Sequence, residues 1–186
     1  SGNIIKEPLK LFDFDIDKIR LFFNVIFNNY NYLFTQKACL VFSGTLILLL
    51  LPTYFMNAKI PKREKVMFSL VTIFLLLPIV SPFLDKMWHG FARPNFFNYR
   101  YSFTLSLTLI LMAFRAYQNR EEIKKKHLIV SGIIFFLLTA IEIIIKKLGY
   151  LTSDGYEISY FSIILSCLTF IIMWIVFFMQ TIGKKR

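Results

Sequence analysis

Residues 128–145, LIVSGIIFFLLTAIEIII, carry a single charge, Glu142, in eighteen positions. About 20 consecutive apolar residues in a helix cross the roughly 30 Å hydrocarbon layer of a bilayer. The stretch therefore predicts a membrane span. The basic linker QNREEIKKKH precedes it and Lys146 and Lys147 follow it, and cations of this kind hold the ends of a span at the water boundary. Working outward, the same pattern predicts further spans over 159–182, 97–117, 66–84 and 38–56. Of the 186 residues, 56% are hydrophobic, 22 are phenylalanine, and the mean hydropathy is +0.60. A soluble domain is nearer 45–50% apolar. The fold class that follows is all-α integral membrane, with about five transmembrane helices.

Residues 1–37 are polar enough to lie outside the bilayer. Within them Ile19, Phe22, Phe23, Ile26, Phe27 and Tyr30 repeat at the spacing of one helical face, opposite Lys18, Arg20, Asn24, Asn28 and Asn29. This predicts an amphipathic helix, capped by Asp17 and resting on the membrane surface or on a soluble neighbour. The first residues, SGNIIKEP, show no basic run or cleavage site, so no signal peptide is expected. They read as the middle of a longer polypeptide. Cys39 and Cys167 fall inside spans as buried thiols without disulfide or metal spacing. The net charge of +11 points to topology rather than nucleic acid, because the cations cluster between apolar runs.

That clustering orients the chain. Lys59, Lys62, Arg63, Lys65, Arg115, Arg120, Lys124, Lys125, Lys126, Lys184, Lys185 and Arg186 fall on one side. The opposite loops, after the second and fourth spans, hold only Lys86, Arg93, Arg100, Lys146 and Lys147. The positive-inside rule then places residues 1–37, the loop beginning at Asp85 and the loop around Tyr150 outside the cytoplasm. Arg115 is expected to snorkel inward, Glu121 and Lys125 to form an ordinary surface pair, and His127 to belong to the basic linker. Ser102 and Ser106, one turn apart, form a small polar stripe suited to helix contact.

The candidate site is the loop DKMWHGFARPNFFNYRYSF, residues 85–103. It packs Asp85, Lys86, His89, Arg93 and Arg100 among aromatic rings, with Gly90 and Pro94 breaking any regular helix. Pro78 and Pro82 precede it one turn apart and free backbone carbonyls. Arg93 and Arg100 stand on the less basic side, so topology alone does not explain them. Two readings stay open. In one they pair with Asp85, Glu142 or the freed carbonyls; in the other they hold a phosphate or sugar in an outward-facing cavity, with His89 and Trp88 as further contacts and Asp85, Tyr99 and Glu142 in support. Trp88, Phe91, Phe96 and Phe97 would line a groove for an isoprenoid tail, or form an aromatic belt. Glu142 is an acid within a span and so a functional candidate, although Lys146 four residues on predicts a structural pair.

The stretch from Trp88 to Phe103, WHGFARPNFFNYRYSF, read with NAKIPKREKV before it and TLSLTLILMAFRAY after it, resembles the YfhO family of bacterial multi-pass membrane proteins. The resemblance covers roughly residues 35–120 by motif and the rest by hydropathy. It implies a glycosyltransferase of the membrane-embedded GT-C type. Such an enzyme takes a sugar from a polyprenyl-phosphate carrier at the outer face and attaches it to an anionic surface polymer such as lipoteichoic acid. Family members are several times longer, and the catalytic acid of that architecture lies in the first outer loop, which no residue here matches. The resemblance thus implies a later part of the transmembrane bundle in a bacterial cell membrane, with Arg93 and Arg100 as carrier or acceptor phosphate contacts and the catalytic residues unknown. A transporter or flippase of lipid-linked substrate and a membrane scaffold subunit remain alternatives. The sequence has no glycine-rich phosphate loop, metal-ligand cluster or nucleophile triad, so no cofactor and no metal are expected.

Overall fold

The computed structural model describes residues 43–91, 101–148 and 160–183, which form helices and turns with no strand among them. The helices are α1 (Thr45–Met56), α2 (Lys62–Val80), α3 (Pro82–Trp88), α4 (Ser102–Gln118), α5 (Lys125–Lys147) and α6 (Tyr160–Gly183), with a short 3-10 turn at Arg120–Glu122. The expected amphipathic helix within residues 1–37, and Cys39, lie outside the described residues.

Connection lengths and contacts make α1, α2, α4, α5 and α6 alternate in direction. One end gathers the turns at Asn57 and Asn119. The other gathers α3, Tyr101 and the contact between Lys146 and Tyr160.

At the first end the polar groups are satisfied across helices. Asn57 is fully buried; its Nδ2 donates to the Asn119 carbonyl at 3.0 Å and its Oδ1 accepts from Lys59 N–H at 3.0 Å. Lys65 Nζ donates to the carbonyls of Phe55 and Asn57, both at 2.7 Å. It thereby satisfies carbonyls that the end of α1 leaves without intrahelical partners. Arg115 does not simply reach toward water as expected. Its Nε meets Glu64 Oε1 at 3.0 Å and a terminal nitrogen meets Oε2 at 3.3 Å, a two-pronged clasp of α4 to α2.

Helix α1 is the hub. Leu49, Leu50 and Tyr54 are buried against Met112, Ala113 and Ala116 of α4, Leu128 and Phe135 of α5, and Phe170 of α6. The Phe135 and Phe170 rings stack 3.8 Å apart, and the Trp174 indole donates to the Leu128 carbonyl at 2.8 Å. The indole passes beside Gly132, where a Cβ would already be in van der Waals contact with Trp174 Nε1 at 3.4 Å and leave no room for a larger branched side chain. A second cluster, Leu75, Ile79, Tyr101, Leu105 and Leu109, joins α2 to α4. Outward faces are apolar too: Val66, Met67, Leu70, Phe74, Leu137, Ile141, Ile172 and Met179 are exposed. Apolar surface outside as well as inside is what lipid, rather than water, requires of a helix.

Among the described residues, fewer than five helices are long and apolar enough to cross a membrane. Lys125–Lys147 and Tyr160–Thr181 are long and apolar enough to cross, and α2 with α3 makes a third if the bent pair is one span. Helix α1 has 12 described residues and α4 has 17, about 18 and 25 Å. The expected second span, 66–84, does not run straight. Pro78 is accommodated within α2, but Ser81 leaves helical geometry at φ −116°, ψ 105°, and Pro82 starts α3 at an angle of 103°. A proline at the first helical position needs no hydrogen bond there, so this break is a restart rather than a kink.

Two turn assignments also change. Glu121 lies in the 3-10 turn while Lys125 opens α5, so they do not share a helix face; Lys59 instead meets Glu122 at 3.7 Å, and Lys125 lies 6.0 Å from the Phe178 ring centre. His127 is buried within the first turn of α5, its Nδ1 accepting from Lys124 N–H at 3.5 Å. Ser102 is buried, as a helix-contact residue should be, and Thr108 is buried below it on the same helix.

Candidate functional site

Helix α3 ends in a Schellman motif. Phe91 N–H donates to the Lys86 carbonyl at 2.7 Å and Gly90 N–H to the Met87 carbonyl at 3.1 Å, with Gly90 at φ +61°. Phe91 follows at φ +62°, unusual for a residue with a side chain. Its ring lies 6.4 Å from that of Phe83, centre to centre. The motif stops the helix one residue after Trp88 and fixes how Asp85, Trp88 and His89 are presented.

Asp85 and His89, one turn apart on this short helix, come together: Nε2 of His89 lies 3.6 Å from Asp85 Oδ1. Tyr101, at the start of α4, donates its hydroxyl to the same oxygen at 3.2 Å and is itself buried. Trp88 packs against Tyr101 at 5.2 Å between ring centres and against Phe74 at 5.8 Å, yet stays 42% exposed. The result is a carboxylate held by a phenol, an imidazole whose Nε2 is buried beside that carboxylate without a hydrogen-bond partner, and an indole face open beside them. A carboxylate accepts from a sugar hydroxyl and an indole face stacks on a sugar ring.

Below Tyr101 on the same face of α4 come Leu105 and Leu109, and these line a hollow of about 210 Å³ between α1, α2, α4 and α5. Its other walls are Leu48, Leu51, Pro52, Thr72, Leu76, Ile134, Phe135 and Leu138. It is larger than the roughly 150 Å³ apolar cavity that accommodates benzene.

Of the residues singled out from sequence, Asp85, Trp88 and His89 are thus brought to one place. Glu142 is not among them: it lies in the interface of α5 and α6, near Thr139 and Cys167. It makes no direct ion pair with Lys146, although the ammonium is near enough to act on it through space. Neither carboxylate oxygen has a hydrogen-bond partner, and Lys146 Nζ instead sits 3.7 Å from the centre of the Tyr160 ring. Arg93, Tyr99 and Arg100 lie outside the described residues. Tyr101 was visible in the sequence only as one more ring of the loop; its bond to Asp85 joins residues sixteen apart. No local spacing rule reaches that far.

Helices packed around a central apolar helix, with apolar surface outside and polar groups gathered at the two ends, define a multi-pass helical membrane protein. Residues 6–184 match the model of the family described as bacterial membrane protein YfhO, and the chain belongs to that family. No curated protein and no solved structure matches it.

Proposed function

We propose that this chain is a C-terminal-side transmembrane portion of a membrane glycosyltransferase that takes a sugar from a polyprenyl-phosphate carrier and passes it to an anionic surface polymer such as lipoteichoic acid. The supporting observation is the vertical arrangement on α4. The polar group of Asp85, His89 and Tyr101 stands at one end of a face whose next two turns, Leu105 and Leu109, line an apolar hollow. That order of head and tail suits an amphipathic carrier. Arg93 and Arg100 are adjacent in sequence to this cluster and would meet the phosphate, with Asp85 orienting His89 and Tyr101 rather than serving as the base. In this reading the chain crosses the bilayer five times, and the cluster and residues 1–37 face outward.

The 103° break between α2 and α3 supports a second reading, a transporter of lipid-linked substrate, since broken helices mark transporter sites. Transfer of labelled sugar from a polyprenyl-phosphate donor by the full-length protein separates the two. In the transferase reading, Asp85→Asn and Arg100→Ala each lower transfer at least tenfold with normal expression. Wild-type transfer by both variants would remove the cluster from the reaction. Carrier movement across a proteoliposome membrane without transfer would favour the transporter.

A further inference from the structure

Glu142 is the only acid of α5 and is fully buried, with both carboxylate oxygens lacking a hydrogen-bond partner. Its surroundings offer little to hold a charge. Among the described residues, the helices most closely packed against α5 are α1 and α6, and neither contains an Asp, Glu, Lys, Arg or His. Their titratable groups are Tyr54 on α1 and Tyr160 and Cys167 on α6; of these, Cys167 lies beside Thr139 and within electrostatic range of Glu142. On its own helix the nearest charge is Lys146, whose ammonium rests against the Tyr160 ring. The Thr139 hydroxyl donates to the Phe135 carbonyl at 2.9 Å.

An unpaired carboxylate between apolar helices is far costlier than a neutral group of the same shape. A bound metal ion would need several oxygen ligands, and no group of three or more His, Cys, Asp or Glu that could hold one occurs among the described residues. A proton needs one oxygen and no added space.

We propose that Glu142 is an intramembrane proton-binding site, its carboxyl holding one proton between α5 and α6. Release passes that proton to water and leaves a carboxylate, which the closed interface does not accommodate. Proton occupancy is therefore coupled to the packing of α5 on α6.

The test uses the full-length protein in lipid nanodiscs and needs no sugar donor, so it stands apart from the proposed transfer activity. Infrared difference spectra at neutral pH should contain a carboxylic-acid carbonyl band that shifts in deuterium oxide and is lost in Glu142→Gln, which keeps shape without a titratable proton. Thermal unfolding of the wild type should show a midpoint that falls as pH rises, because the closed fold holds a proton that the water-exposed chain gives up. Glu142→Gln should lack that step, and Glu142→Met, a second neutral replacement, should lack it as well. A wild type without the band, or a band and pH step unchanged in the variants, overturns the proposal.

Discussion

Tyr101 and His89 converge on one oxygen of Asp85, so the three side chains are interdependent. Tyr101→Phe keeps the ring contact with Trp88 and removes one hydrogen bond. The expected cost is about 1 kcal/mol of stability, read by thermal unfolding in detergent, together with weaker retention of a polyprenyl-phosphate ligand in a binding assay. Loss of stability with unchanged binding would make Tyr101 a packing residue only. Gly90 makes a separate demand. A Cβ there meets nothing within 4 Å, so Gly90→Ala is resisted by its left-handed backbone alone, about 1–2 kcal/mol. Gly90→Asn should cost less, because Asn tolerates that region; equal losses for both would point to a different cause. Charge and ring content marked Asp85, Trp88 and His89 in the sequence, since all three are local features of one loop. The bond from Tyr101 was not marked, being made across a helix break.

Among the elements, α5 and α6 are held by ring stacking and by the indole of Trp174 lying on the backbone beside Gly132. Gly132→Val puts a branched side chain where the indole lies and should break its hydrogen bond to Leu128. A red shift of tryptophan emission, as the indole reaches a more polar setting, would report this, and an unchanged spectrum would refute it. Phe135→Ala removes one of the stacked rings and part of the hollow's wall, with an expected loss of about 3 kcal/mol. The helices themselves were legible from hydropathy, because apolar runs near 20 residues have few alternatives. Their ends were less so. His127 reads as linker from its basic neighbours, but α5 begins two residues before it and turns the ring inward. Pro78 and Pro82 signalled broken backbone, while the size of the turn depended on Ser81 and on what α3 packs against.

For the molecule as a whole, the bonds from Asn57 to Asn119 and from Arg115 to Glu64 tie together the end rich in lysine and arginine. The cluster around Asp85 belongs to the opposite end. Single cysteines at Arg63 and Phe91 in the otherwise cysteine-free protein should therefore react with an impermeant maleimide from opposite faces of a sealed vesicle, and the proposed orientation puts Phe91 on the outer face. Labelling of both from one face would undo the alternating arrangement. Asn57→Ala leaves the Asn119 carbonyl without its partner in a buried turn, and a cost of about 1–3 kcal/mol is expected. Unfolding measurements on the same vesicles would register it.

The sequence alone determined that the chain is helical and membrane-embedded, and which of its ends is basic, because hydropathy and charge act through the composition of each stretch, whatever its neighbours. Only the tertiary structure decided which polar groups find partners. At i and i+4 Glu142 and Lys146 are within reach of each other, yet the Tyr160 ring engages the lysine and leaves the acid without a hydrogen bond. Asp85, by contrast, gains a phenol that no spacing rule would have supplied. Contacts between helices depend on how their faces meet, and a linear pattern does not carry that information.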